Sequence, residues 1–444
     1  MTVGLLNSRA TKNNLHKASL VNPTPFNIQY YKNYRSVFQR TLRAAKKLTI
    51  ADQLRNSKNN PRETWKILNN VIGKTQAHQK ISKLIVNDTQ IEDDLGIANA
   101  FNDFFVKIGK EISDNVPLIT KSFEDYMPPT PNIVPLRLQN TTPEYVITIV
   151  KSMAGKNSAD FDGVSSKMIK FVIQSIAIPL SHIFNLSLSS GTFPEKLKKS
   201  RVIPIFKNGS KHDCNNYRPI SLLSSISKIL EKIVANRLID HLDNNNLLYT
   251  HQYGFTPGKS TEQNLLQVLD YVTKALNNNQ YCIGVFIDLK KAFDVCSHSI
   301  LLKKLSLMGV NGVALNWFRT YLSNRTQCVD INGNLSAEKR LLLSVIQGSI
   351  LGPILFLCYI NDLYLCTTLF TTLFADDGTC LAKDANLNNL IKYVNNELQK
   401  ISNWFLSNKM AVNTSKTKYI IFHTQGKQIG NNVQLLFNSN EMGL

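Results

Sequence analysis

The sequence predicts an α+β fold, with helices packed on one face of a mostly antiparallel sheet. Three observations lead there. From residue 281 onward, short apolar strands alternate with long helical patterns. Two hairpin-turn signals, Asn332-Gly333 and Asp377-Gly378, join strands tightly. One segment, "YCIGVFIDL" (281–289), is apolar almost throughout, as a strand buried in a core is. The chain has 444 residues, of which 43% are apolar and 18% charged, enough for a sizeable core and two or three domains.

Residues 1–115 read as helical and basic. "YYKNYRSVFQRTLRAAKKLTIADQL" mixes aromatics with cations at helical spacing. "DDLGIANAFNDFFVKIGKEI" is an amphipathic pattern that places Leu95, Ala98, Phe101, Phe105 and Ile108 on one face. A basic helical extension over 1–126 is expected, then a proline-rich linker over 127–140, where "MPPTPNIVP" breaks the pattern, then one domain over 141–444. Within that domain "PISLLSSISKILEKIVANRLIDHL" repeats its apolar positions at three and four, a helix that "NNN" ends. Ser260-x-x-Gln263 is a capping box opening a helix to Leu276. Gly352-Pro353 sets proline in the first turn of a helix running through Asp362.

The formal net charge is +20, unevenly placed. Residues 1–80 carry 15 Lys and Arg against Asp52 and Glu63, a net of +13. Such a block suits a polyanion, and nucleic acid is expected ahead of an acidic membrane surface. The seven cysteines form no C-x-x-C pair, so neither zinc spacing nor a disulfide framework is expected. The longest apolar run, "ILGPILFLCYI", is too short to span a bilayer, and no membrane partner is expected. The chain reads as intracellular.

"LFADDGTC" (373–380) sets two carboxylates side by side in an apolar run. A plain hairpin with both carboxylates at its tip needs no chemistry. A metal site is the sharper reading, because clustered carboxylates repel unless a cation neutralises them. Asp288, at the end of the buried strand, favours the second: a lone charge there costs several kcal/mol without compensation. An ion pair of Asp288 with Lys290 or Lys291 is the alternative. Three carboxylates on adjacent strands can hold two Mg²⁺ ions roughly 3.5–4 Å apart, the arrangement that serves phosphoryl transfer.

These residues resemble a known family. "FIDLKKAFD" (286–294), "QGSILGPILFLCYINDL" (347–363) and "LFADDGTCL" (373–381) are similar to motifs A, B and C of reverse transcriptases, most closely those of non-LTR, LINE-like retrotransposons of jockey type. Four further blocks resemble the family in its order: "DGVSSKMIK" (162–170), the 201–238 segment containing "YRPISLLS", "QYGFTPGKST" (252–261) and "WFLSNKMAVNTSKTKYIIF" (404–422). The likeness covers roughly 145–425.

The resemblance implies fingers and palm of a right-hand polymerase, making DNA on an RNA template from dNTPs at a primer 3′-hydroxyl. It implies Asp288, Asp376 and Asp377 as ligands of two Mg²⁺ ions, with Mn²⁺ able to substitute, and the Leu289 carbonyl as a further contact. Phe293 matches the aromatic sugar gate, whose ring leaves no room for a 2′-hydroxyl. Gln347 and Gly348 open motif B beside the incoming base. Lys207 and Arg218, flanking a hairpin loop, match fingers cations that grip the triphosphate. Lys416 matches a motif D general acid, with Lys418 an alternative. Asp294 reads as structural, and Asp362 as a polar contact at a helix C-terminus. RNA template, DNA primer or target DNA and dNTPs are the implied partners, in a ribonucleoprotein of nucleus and cytoplasm.

The pattern departs in places. Phe374 stands where tyrosine is usual, and Gly378 where threonine is common, which is expected to loosen the hairpin. No endonuclease, zinc knuckle or thumb is read, so the sequence is expected to be a fragment or incomplete copy. The alternatives are another palm polymerase, such as a group II intron maturase, or a silent nucleic-acid-binding remnant.

Overall fold

The computed structural model describes residues 2–57, 60–72, 81–117, 119–127, 133–429, 434–437 and 440–441. The chain forms two compact units, residues 1–80 and 81–444.

The first unit is helical. α1 (Val3–Val21) and α2 (Pro25–Asn56) pair, and α3 (Pro61–Val71) follows. The Thr24 side chain caps α2 by accepting from Asn27 N–H, with Pro25 preset in the first turn. Phe38 is buried between α1 and α2, with the Lys12 ammonium over its ring. The cations of α2 from Lys32 to Lys47 are exposed.

The second unit begins earlier than the expected domain boundary. Helix is also not continuous through residue 115. β1 (Leu84–Val86) and β2 (Thr89–Ile91) form a hairpin, and Asn87 and Asp88 in its turn both take positive φ. α4 (Asp94–Asp114) then packs on a sheet of the catalytic-motif region, which draws 81–115 into that unit. Its buried face is Ile97, Ala98, Phe101 and Phe105, set against Val202, Tyr217, Val329 and Ile331. Leu95 is exposed and Ile108 only half-buried, so the stripe lies slightly round the helix from its expected position. Burying Phe101 completely contributes about 2 to 3 kcal/mol. Of the expected linker, residues 128–132 lie outside the described residues. Residues 133–140 are irregular, and Leu136 is buried.

α5 (Pro143–Ser152) and α6 (Ser166–Ser190) lead into β3 (Lys199–Phe206) and β4 (Tyr217–Leu223). The expected long helix over 219–242 is therefore shorter. Pro219–Leu223 is strand, paired with β3, and α7 (Ser225–Asn244) starts after Ser224. Apolar residues in that stretch satisfy either period, and pairing with β3 decides between them. α6 is long and apolar enough by composition to cross a membrane, yet Ile173, Ala177, Leu180 and Phe184 are buried within the core it shares with α5 and α10.

α8 (Thr261–Asn277) opens with the expected Ser260–Gln263 capping box. β5 (Tyr281–Ile287), α9 (His298–Leu307), α10 (Gly312–Leu322), β6 (Thr326–Ile331), β7 (Asn334–Leu335) and β8 (Lys339–Arg340) follow. The β6–β7 turn is Asn332-Gly333, both at positive φ, as expected. β6 lies parallel to β3 and antiparallel to β7 and β8, so this second sheet is mixed. α11 (Leu351–Ile360), β9 (Phe370–Phe374), β10 (Asp377–Asp384), α12 (Leu387–Ser407) and β11 (Lys418–Phe422) complete the central architecture.

The central sheet runs β11–β5–β10–β9 and is antiparallel throughout. Helices cover both of its faces, not one. Ile283, Val285, Cys380 and Ala382 join the main core with Leu390, Val394 and Leu398 of α12. The alternate residues Cys282 and Leu381 pack with Val272 and Ala275 of α8. The unbroken apolar run of β5 has this cause, since it has no face toward water.

Candidate active site

β5 and the β9–β10 hairpin bring the three aspartates to one end of the central sheet. Gly378 pairs with Ile287, and continuing that register by one residue sets Asp377 beside Asp288. The hairpin turn is Ala375-Asp376, two residues earlier than the expected Asp377-Gly378. Ala375 adopts φ of 59°, and Gly378 is an ordinary strand residue packed between Ile287 and Leu373. Glycine there needs no special backbone, and the expected loosening has no counterpart in the pairing.

Asp376 is half-buried and Asp377 exposed. Desolvation raises the Asp376 carboxyl above its ordinary range, and repulsion from Asp288 adds to the rise. Asp377 is raised for the same reason, with Asp376 and Asp288 both contributing. The three carboxylates thus face one space. Asp288 is also held by the segment before β11. Asn413 Nδ2 donates to Asp288 Oδ2 at 2.8 Å, and Asp288 N–H donates to Thr417 Oγ1 at 3.2 Å.

The aspartates open on a cleft of about 1060 Å³. Every residue expected in the site lines it. Lys207 and Arg218 stand at the base of the β3–β4 loop, Leu289 and Phe293 follow β5, Gln347 and Gly348 precede α11, and Lys416 sits opposite on the β11 side. Lys416 is exposed to the cleft, whereas Lys418, its alternative, is not among the lining residues. Phe293 stacks on Phe356 at 4.5 Å between ring centroids and meets Phe255 edge-on at 6.2 Å. Gly348 has φ of 110°, and a Cβ there would lie 2.5 Å from the Ser221 carbonyl, so glycine is required. Ser221 N–H donates to the Gln347 carbonyl at 2.8 Å, fixing this segment to β4.

Four contributors were missed in the sequence. Gln252 is buried, and its Oε1 accepts from Ala375 N–H at 3.0 Å and Gly254 N–H at 2.9 Å. It clamps the Ala375-Asp376 turn. A single Gln in a coil segment carries no signal of this. Asp294 accepts from Gln347 Nε2 at 3.0 Å and orients that amide. Desolvation pushes the Asp294 carboxyl up to about 6, against the opposing pull of Lys291. Lys291 donates to the Asn215 and Tyr217 carbonyls, both at 3.4 Å, which ties the segment after β5 to the β3–β4 loop. Phe255 takes positive φ and lines the cleft beside Phe293. Asp362, expected as a simple helix-end contact, is buried in an ion pair with Lys304 at 2.5 Å and accepts from Trp404 Nε1 at 3.0 Å.

Carboxylate oxygens suit a hard divalent cation such as Mg²⁺ in kind. Among the described residues, no three His, Cys, Asp or Glu side chains are drawn close enough to form a finished site by themselves. The donor chemistry and the mutual repulsion fit such an ion, and Asn413 occupies only one oxygen of Asp288.

A family model for reverse transcriptase (RNA-dependent DNA polymerase) matches residues 205–433. The chain is 33% identical over 238 residues to a probable RNA-directed DNA polymerase from transposon BS of Drosophila melanogaster, covering 53% of this chain and 26% of that protein. It is 28% identical over 313 residues to the RNA-directed DNA polymerase from mobile element jockey of the same organism, covering 68% of this chain and 34% of the relative. For the X-element protein the figures are 25% over 352 residues, 76% and 37%. The chain thus spans roughly a quarter to a third of the length of these relatives. With its motif residues gathered around one cleft, this chain belongs to the reverse transcriptase family, in the branch of the non-LTR retrotransposons.

Proposed function

We propose that this chain catalyses RNA-templated DNA synthesis, adding a dNTP to a primer 3′-hydroxyl. The observation that carries the reading is the convergence of Asp288, Asp376 and Asp377 on a single cleft with Lys207, Arg218, Phe293 and Gln347. The central sheet serves as palm and the β3–β4 sheet as fingers. Bound at the three aspartates, Mg²⁺ would lower the pKa of the attacking hydroxyl and neutralise charge on the triphosphate.

The chain's own residues do the positioning. Arg218 offers a fork for bidentate phosphate contact, and Lys207 adds a point charge. Phe293, braced by Phe356, closes the space a 2′-hydroxyl would need. Gln347, held by Asp294, and the bare backbone of Gly348 form the wall where the incoming base lies. Lys416, which lines the same cleft, gives a proton to the leaving pyrophosphate in this reading. The basic unit of residues 1–80 adds sequence-independent hold on RNA.

The test is extension of a DNA primer annealed to heteropolymeric RNA, with purified chain and Mg²⁺. Incorporation should follow the template sequence and require dNTPs. No incorporation on RNA or DNA templates would leave the chain a nucleic-acid-binding protein.

A further inference from the structure

We propose that Asn413 positions the Asp288 carboxylate for the divalent cation, from a bulge that also carries Lys416. The proposal rests on the polymerase reading and names a residue to which that reading gives no role.

The strand pairing is irregular where Asp288 stands. β11 pairs with β5 through Lys418 and Phe286, and pairing resumes at Val412 and Leu289. Ile287 and Asp288 thus face five residues, Asn413 to Thr417, where a regular ladder would set two. The three extra residues make a bulge on the β11 side, a device that re-aims side chains beside active sites. Both ends of the bulge are tied to the Asp288 backbone. Asn413 N–H donates to the Asp288 carbonyl at 2.8 Å, and Asp288 N–H donates to Thr417 Oγ1 at 3.2 Å. Thr417 is buried. Lys416 N–H and Thr417 N–H both donate to the Asn413 carbonyl, at 3.0 and 2.9 Å. Backbone groups and Thr417 therefore close the bulge and set Lys416, without the Asn413 side chain.

That side chain reaches the carboxylate instead. Its Nδ2 donates to Asp288 Oδ2 at 2.8 Å, and its Oδ1 accepts from Ser415 Oγ at 2.8 Å. An ionised carboxylate only accepts, which fixes the amide nitrogen toward Asp288 and leaves Oδ1 to Ser415. A hydrogen bond to a charged acceptor is stronger than a neutral one and restrains the group it holds. Partners of this kind orient metal ligands and support their affinity. Asn413 and Lys416 line the cleft together with Asp288, whereas Thr417 is not among the lining residues. Charge also selects asparagine here. Aspartate has the same shape, but it would add a fourth carboxylate to a cleft that already gathers Asp288, Asp376 and Asp377.

The experiment measures Mn²⁺ binding by electron paramagnetic resonance. It uses the full chain on an RNA template with a dideoxy-terminated primer, so no turnover occurs. Loss of signal in Asp288→Asn identifies the ions that the aspartates hold. Asn413→Ala should raise the Kd of those ions about tenfold, the low end for losing a ligand's hydrogen-bond partner. Asn413→Asp should weaken binding further, because it replaces the donor with a like charge. A residue that only shapes the turn predicts the reverse order, since aspartate accepts from Ser415 as well as asparagine does. In single-turnover extension, the rate lost in Asn413→Ala should return as Mg²⁺ is raised. Should the alanine variant fail to fold, Ser415→Ala, at an exposed position, should raise the Mn²⁺ Kd about threefold. Unchanged Mn²⁺ affinity in Asn413→Ala, or parent affinity in Asn413→Asp, would overturn the proposal. A parent chain that binds Mn²⁺ but extends no primer counts against the polymerase reading alone, because the titration needs no catalysis.

Discussion

The Phe293 ring stacks on Phe356 and meets Phe255 at right angles, so swinging aside would break both contacts, as the proposed sugar gate needs. Phe293→Ala is expected to raise ribonucleotide incorporation relative to dNTP by at least about tenfold, read from paired single-nucleotide extensions. An unchanged ratio would mean that the ring only fills the core. Asp294 offers a pH test. Its carboxyl is pushed up to about 6 in the folded chain, above the ordinary value near 3.9, so folding favours the protonated form. The cost of its charge is present at neutral pH and is relieved as pH falls through 6. Asp294→Asn should therefore melt higher than the parent at pH 7.5, and the gap should narrow steadily between pH 6 and about 4. A constant gap would mean that desolvation is not what Asp294 experiences. The same variant keeps an acceptor for Gln347, so its dNTP affinity should change little, whereas Asp294→Leu should weaken it. The three aspartates, Phe293 and Gln347-Gly348 were legible as residues of one cleft because each stands at a fixed spacing inside a motif. Asp294 was read only as structural, because its function comes from a partner 53 residues away.

At the level of elements, the β9–β10 hairpin depends on a segment that is neither strand nor helix. His251, Gln252 and Tyr253 run beside β9: Leu373 N–H donates to the His251 carbonyl at 2.9 Å, and Tyr253 N–H donates to the Leu373 carbonyl at 2.8 Å. Gln252→Ala would strip two buried N–H groups of their acceptor, at about 1 to 3 kcal/mol each. Denaturant unfolding should show a loss of about 2 kcal/mol or more, and extension should fall at least about tenfold as the Ala375-Asp376 turn loosens. Full activity in a destabilised variant would assign Gln252 to stability alone. A Cβ at Gly254 would fall 2.2 Å from Ala375 N, so Gly254→Ala should be at least as damaging. The hairpin was legible as an element, and its turn was misplaced by two residues. Asp-Gly is the stronger turn signal in isolation, and the pairing of Phe374 with Asp377 overrode it. Likewise β4 was read into α7, because alternation and helical spacing coincide over a few apolar residues. The two-sided covering of the central sheet was implicit in β5, but no local pattern says that α8 supplies the second cover.

For the whole molecule, the sequence showed two regions of different charge, but not their boundary. Packing moved that boundary, because α4 buries its apolar face in the second unit. The exposed cations of α2 give the first unit its own prediction. Replacing Arg40, Arg43, Lys46 and Lys47 with Gln should lower the salt slope of single-stranded RNA binding by up to about 2.8, at about 0.7 per lost contact. An unchanged slope would show that α2 does not touch RNA. The central claim is that three aspartates at one end of an antiparallel sheet make this chain an RNA-directed DNA polymerase, and single-turnover incorporation by Asp376→Asn tests it most directly. The substitution keeps size and shape and removes one charge from a turn whose backbone is held by Gln252. The rate on an RNA template should fall at least about a hundredfold, the scale of losing one preorganised charge-stabilising group. Primer–template Kd and melting temperature should match the parent. A rate within about tenfold of the parent would contradict the account, because the chemistry would then not pass through this carboxylate.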